Sequence, residues 1–162
     1  MSIRARRAAR PGITFRSLLE CRWSAALDSL GLPWEFEPTH FDLPGGMYIP
    51  DFHVLPDSDR AFWIEVKGPW PNAREFEVAS EVNLYHAPLM ILSGDIPRQP
   101  NGGTAWWFDE DTHRWSMLRP EEALIRVIFR YDADPPESLG EQWGEALEAA
   151  RHEELIRVVV DM

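Results

Sequence analysis

Two short stretches hold the residues whose types and spacing could do chemistry. They are Tyr48-Ile49-Pro50-Asp51-Phe52 and, after nine intervening residues, Phe62-Trp63-Ile64-Glu65-Val66-Lys67-Gly68. In a strand, successive side chains alternate between faces. Glu65 and Lys67 therefore share one face of the second stretch, while Phe62, Ile64 and Val66 share the other, which is wholly apolar and belongs in a core. Folded as a hairpin centred near Ser58, the two stretches place Asp51 opposite Glu65. Cross-strand neighbours have Cβ atoms about 4.5–5.5 Å apart. Two carboxylates that close repel unless one is protonated or a cation lies between them. Hard oxygen donors select Mg2+ or Mn2+. Lys67 completes the set, because its ammonium could position and help deprotonate a water beside the cation. The cation itself would lower that water's pKa and stabilise charge on a phosphate oxygen. Pro50 removes a ladder donor, which predicts a sheet edge or a bulge beside the site.

These residues need elements to position them. Phe15, Leu18, Leu19, Trp23, Ala26, Leu27 and Leu30 recur at spacings of three and four, which predicts an amphipathic helix over 15–30. Thr14 is the expected N-cap and Gly31, before Pro33, the expected residue past the C-cap. Glu20 lies just off the apolar stripe, with the charge to act as a metal ligand or to stand behind one. Strands are predicted at Trp34–Glu37, Met47–Val54 and Phe62–Lys67, the last closed by Gly68-Pro69. Asn72 with Glu75 three residues on is a capping-box start for a helix running to Tyr85, and Pro88–Leu92 reads as a buried strand. Ala105–Phe108 and Arg114–Leu118 flank a turn and predict a hairpin; Pro120–Arg130 and Leu139–Ala150 predict two amphipathic helices. The expected organisation is a basic arm over 1–12, a core over 13–96, and a C-terminal hairpin and helical extension over 97–162 packed on that core.

Asp51 after Pro50, followed by Glu65-Val66-Lys67, resembles the motif of the PD-(D/E)xK, or restriction-endonuclease-like, nuclease superfamily. Phe15-Arg16-Ser17-Leu18-Leu19-Glu20-Cys21-Arg22-Trp23, with the two motif stretches, is similar to small phage-encoded and bacterial members, among them Holliday-junction-resolvase-like and recombination endonucleases. The resemblance covers residues 15–92. It implies an α/β fold with an αβββαβ core and a mixed central sheet, in which an acid on the first helix, here Glu20, precedes the motif strands. It also implies Mg2+- or Mn2+-dependent hydrolysis of DNA. Asp51, Glu65 and the backbone carbonyl of Val66 would be the metal ligands, and Lys67 would act on the attacking water. The places implied are phage or bacterial DNA recombination, repair, processing or defence, with a homodimer or a larger DNA-processing complex as the assembly.

The charge balance is unusual for that function. The chain of 162 residues has a net charge of −11. The imbalance is uneven: the first ten residues carry Arg4, Arg6, Arg7 and Arg10 without an acid, whereas residues 121–162 carry eleven acids against four arginines. Exposed charges fade over a Debye length of about 8 Å at physiological salt. An acidic C-terminal end therefore need not repel DNA from a site elsewhere. Arg4, Arg6 and Arg7 are candidate phosphate contacts, as are Arg16 and Arg22. The alternative is a module without catalysis, or dependent on a partner, whose acidic surface engages a protein of DNA metabolism.

Other features read plainly. With Cys21 as the one cysteine, no internal disulfide and no Cys-rich zinc site can form. The opening charged residues lack a following apolar run and the apolar stretches are short, so neither a secretory signal nor a membrane span is expected, and a cytoplasmic setting is. The five histidines lack metal-ligand spacing and are expected to be structural or superficial, though His53 could line the site. Trp106, Trp107 and Trp115 could stack bases, but packing of the hairpin is the simpler role.

Overall fold

A computed structural model describes residues 9–10, 13–97, 103–129 and 139–160. Arg4, Arg6 and Arg7 lie outside the described residues. Two short strands, β1 (Ala9–Arg10) and β2 (Ile13–Thr14), pair antiparallel ahead of helix α1 (Leu18–Ser29). Then come β3 (Trp34–Phe36), β4 (Phe41–Leu43), β5 (Gly46–Tyr48), β6 (Phe52–Val54), β7 (Phe62–Lys67), α2 (Ala73–Tyr85), β8 (Leu89–Ser93), β9 (Thr104–Asp109), β10 (Arg114–Leu118), α3 (Pro120–Phe129) and α4 (Leu139–Val160).

The main sheet has six strands in the order β10-β9-β8-β7-β6-β3. Only β7 and β8 run parallel, joined through α2; every other neighbouring pair is antiparallel. Among the described residues the fold is thus mixed α/β with a mostly antiparallel sheet and four helices. Strand alternation sends the central strands into two cores. Phe62, Ile64, Val66, Met90 and Leu92 join one cluster with Trp23, Ala26 and Leu27 of α1, Leu124 of α3, and Trp143 and Leu147 of α4. Trp63, Leu89 and Ile91 join the other with Ala79 and Val82 of α2. Helix α4 lies along α1, with the Trp23 and Trp143 rings 6.2 Å apart. The C-terminal residues therefore help to build the principal core. Among the described residues no helix is long and apolar enough to cross a membrane.

Two expectations about local structure are corrected. Helix α1 starts at the N-cap Ser17 rather than at Thr14, which lies in β2. The reason is a capping box: Glu20 N donates to Ser17 Oγ at 3.2 Å, and Ser17 N donates to Glu20 Oε2 at 3.1 Å. Phe15 is in the core but precedes the helix, so the apolar stripe alone places the start too early. The stretch Met47–Val54 is also not one strand. Its first part, β5, turns back on β4 as a separate hairpin, and Pro50 separates it from β6. Gly46, at φ +125°, supplies the turn conformation. This hairpin covers one face of the sheet, where Phe41 packs edge-on against Trp63 at 5.2 Å.

Other elements agree with the reading. Helix α2 begins at the N-cap Asn72 with a complete capping box to Glu75. Gly31 follows the C-cap Leu30 at φ +71°. The β9–β10 hairpin adds to the edge of the main sheet through β8.

Candidate active site

The site is built where β6 gives out beside β7. Phe52 pairs with Ile64, His53 with Trp63 and Val54 with Phe62. Extending that register places Asp51 level with Glu65 and Pro50 level with Val66. In an antiparallel ladder a hydrogen-bonded pair exchanges both N–H···O bonds, so a residue's N–H and C=O face the same neighbour. Val66 directs its N–H toward β6, where Asp51 Oδ2 accepts it at 2.7 Å. The Val66 carbonyl therefore opens toward the same gap. Its ladder partner there would be Pro50, which has no N–H to donate. The proline thus does local work: it ends the ladder, leaves a carbonyl facing the gap, and lets Asp51 take over the Val66 amide.

Asp51 and Glu65 are both buried, at 2% and 7% exposure. Burial pushes the Asp51 carboxyl up to about 8, with the Glu65 and Glu20 charges adding to the rise while the Val66 amide and Arg16 oppose it. Burial also raises Glu65, against the lowering influence of Lys67 and of the Tyr48 hydroxyl. Glu65 Oε2 is buried and completes no hydrogen bond. Lys67 Nζ stands 3.2 Å from Glu65 Oε1 and 3.6 Å from Glu75 Oε1. Burial lowers the Lys67 pKa, but the Glu65, Glu75 and Asp51 carboxylates outweigh it, and the ammonium is held above its ordinary value. This lysine is a firm cation, better suited to neutralising a phosphate and orienting a water than to removing a proton.

The remaining expected residues divide. Glu20 is buried, and its Oε2 accepts from Arg16 N at 2.8 Å as well as from Ser17 N. Its direct work is capping α1, and it reaches the site through its charge at Asp51. Arg16 lies at the site, ion-paired with Glu37 and 3.8 Å from Asp51 Oδ1, with its side chain 61% exposed. Arg22 is paired differently. Its side chain is buried and paired with Asp95 at 2.8 Å, which commits the guanidinium to the fold rather than to a phosphate. His53 stacks on Trp63 at 4.2 Å, with its Nδ1 3.9 Å from Glu35 Oε2. Trp106 and Trp115 pack against Phe76 and donate to Ser93 Oγ and Ser80 Oγ, while Trp107 packs on the principal core.

Two contributors escaped the sequence reading. Tyr48 is carried by the unexpected β5, and its hydroxyl faces Glu65, whose charge raises the tyrosine's pKa along with burial. Glu75 was read as a cap alone, yet one of its oxygens caps Asn72 N and the other faces Lys67. The capping box of α2 could have been followed to Lys67 only by knowing that α2 starts beside the end of β7.

Among the described residues no group of three or more His, Cys, Asp and Glu side chains is gathered to hold a metal ion. The candidate donor set is of another make-up: two side-chain carboxylates and one backbone carbonyl. Its hard oxygens, the repulsion between Asp51 and Glu65 and the orphaned Glu65 Oε2 fit a divalent cation of the Mg2+ or Mn2+ type. A cavity of about 580 Å³ opens elsewhere, at the start of β7 and the end of β9, lined by Asp59, Arg60, Leu89, Trp107, Asp109 and Arg126 among others. None of the candidate catalytic side chains lines it. No known protein family, curated protein or solved structure matches the chain.

Proposed function

We propose that the chain is a divalent-metal-dependent endonuclease that hydrolyses DNA phosphodiester bonds, built on a restriction-endonuclease-like core. The observation that carries this reading is the buried pair of Asp51, which accepts the Val66 amide at 2.7 Å, and Glu65 in β7, with Lys67 at 3.2 Å from Glu65. Two acids buried side by side can ionise together only with a cation between them, so the pair supports a metal as the partner that completes it. Asp51, Glu65 and the Val66 carbonyl would hold the cation, which when bound would acidify the attacking water and polarise the phosphoryl oxygen. Before binding, Asp51 holds a proton near neutral pH and must release it. Val66 N–H fixes the orientation of Asp51. Tyr48 favours the ionised form of Glu65. Lys67 places its ammonium against the phosphate, and Arg16, largely exposed, is available to a neighbouring one. Glu75 and Glu65 keep Lys67 cationic and aimed.

The purified protein, incubated with labelled duplex, single-stranded, flap and four-way-junction DNA, should cut at least one of them in Mg2+ or Mn2+ and none in EDTA. A folded protein that cuts none of them in either metal overturns the reading. A second reading rests on the net charge of −11: the chain is the cutting or docking subunit of a larger complex, and a partner supplies DNA affinity. It is favoured if the chain alone neither binds nor cuts DNA while a co-purified partner restores both.

A further inference from the structure

The largest exposed apolar groups among the described residues include Trp70, at 62% exposure. A tryptophan left in water asks for an explanation when the other described ones are wholly or partly buried. Its position is specific. Trp70 is three residues past Lys67 and two before Asn72, the N-cap of α2. Proline precedes and follows it, and Pro71 is buried. A residue before proline is kept out of the helical region, so the segment is stiff. The ring stands edge-on to Trp106, with centroids 5.4 Å apart at 84°. Trp106 is itself pinned, donating to Ser93 Oγ at 3.0 Å and packing on Phe76 at 5.0 Å.

Sheet register ties this ring to the site. Glu65 pairs with Ile91, Ile91 with Trp106, and Lys67 with Ser93. Glu65 and Trp106 therefore lie in one row on one face, two strand spacings apart, which is about 10 Å. Trp70, 5.4 Å from the Trp106 ring, is therefore within the reach of a few nucleotides from Glu65. Charge favours such a contact over phosphate binding. Lys67 and Arg16 give the site few phosphate contacts, so uncharged contacts should supply part of its affinity for a strand.

We propose that Trp70 is a stacking platform for an unpaired nucleobase, within a few nucleotides of the phosphodiester held at Asp51 and Glu65, so that the substrate carries a single-stranded or frayed segment at the site. This rests on the phosphodiesterase reading of that site. Indole faces accept any base, which gives binding without sequence preference, and the edge-on contact with Trp106 leaves the platform pre-set.

The test is binding of fluorescently labelled oligodeoxythymidine by the full chain in EDTA, where the strand stays uncut, against a duplex of equal length. Trp70→Ala should weaken oligodeoxythymidine binding roughly five- to a hundred-fold and leave duplex binding and the melting temperature nearly unchanged. Trp70→Leu, which keeps apolar bulk against Trp106 without a π-face, should lose as much, and Trp70→Phe should restore most of it. Wild-type protein that does not bind oligodeoxythymidine, or binds it no better than both the Ala and Leu variants, overturns the proposal. The two readings separate cleanly. Metal-dependent cutting by wild type with a silent Trp70 removes only the platform. Trp70-dependent binding with no cutting in any metal keeps the platform and removes the nuclease.

Discussion

Asp51→Asn should flatten the way the stability of this protein responds to pH. In the folded protein the Asp51 carboxyl is pushed up to about 8 by burial and by Glu65, from an ordinary 3.8. Between those values the folded chain holds a proton that the unfolded chain has released. A raised acid of this kind favours the folded state at low pH and loses that advantage as pH climbs toward the folded pKa. One proton of difference is worth about 1.4 kcal/mol per pH unit, so between about pH 5.5 and about pH 7.5 the wild type should lose roughly 2 to 3 kcal/mol through this group. For a chain of this size that is a fall of roughly 5 to 10 °C in melting temperature. Asparagine keeps an oxygen to accept the Val66 amide but cannot ionise, so the variant should lack this component. Glu65 and Glu20 are raised in the same direction and remain in the variant, which should therefore keep a smaller dependence of the same sign. Urea unfolding in EDTA at the two pH values measures it. Parallel pH dependence in wild type and variant, or a wild type that gains on the variant as pH rises, would refute the electrostatic argument. Saturating Mg2+ should then stabilise the wild type more at the higher pH, where less proton must be displaced.

Tyr48→Phe removes the hydroxyl that favours ionised Glu65. The acid limb of the pH–rate profile should move to higher pH, with little change in melting temperature; an unmoved limb would show that Tyr48 is only a wall of the site. Glu20→Gln keeps an acceptor for the Ser17 and Arg16 amides, because glutamine serves the capping box as well as glutamate. Its stability should stay within about 1 kcal/mol of wild type. With its charge gone the Asp51 pKa should fall, and metal affinity at neutral pH should hold or rise. A Glu20→Gln protein that is folded but has lost metal binding would make Glu20 a ligand.

The part of the site that was legible in the sequence is the part governed by strand alternation. Glu65 and Lys67 fall on one face because they are two apart, and the hairpin centred near Ser58 brings Asp51 level with Glu65. Both follow from a period of two and a single turn. Pro50 was legible as a break in the ladder, but not as the residue that leaves the Val66 carbonyl facing Asp51. Tyr48 was hidden because Met47–Val54 read as one strand, and only a chain reversal at Gly45-Gly46 sends β5 onto β4. Glu75 was visible as a cap, whereas its approach to Lys67 depends on the crossover from β7 into α2. The role of the last helix was hidden for a different reason. Its packing on α1 joins Trp143 to Trp23 across most of the chain, and no local pattern encodes which apolar stripe meets which. Burial of Arg22 against Asp95 was not legible either, because that pair joins α1 to the loop after β8.

The most direct measurement is single-turnover cleavage, in Mg2+ and in Mn2+, of whichever DNA substrate the wild type cuts best, by Glu65→Gln and Lys67→Ala proteins whose melting curves show them folded. Each variant should lose at least about a hundred-fold in rate, and wild-type cutting should vanish in EDTA. Either variant cutting at the wild-type rate, or wild-type cutting that persists in EDTA, would contradict the assignment of this buried carboxylate pair and its lysine as the catalytic centre.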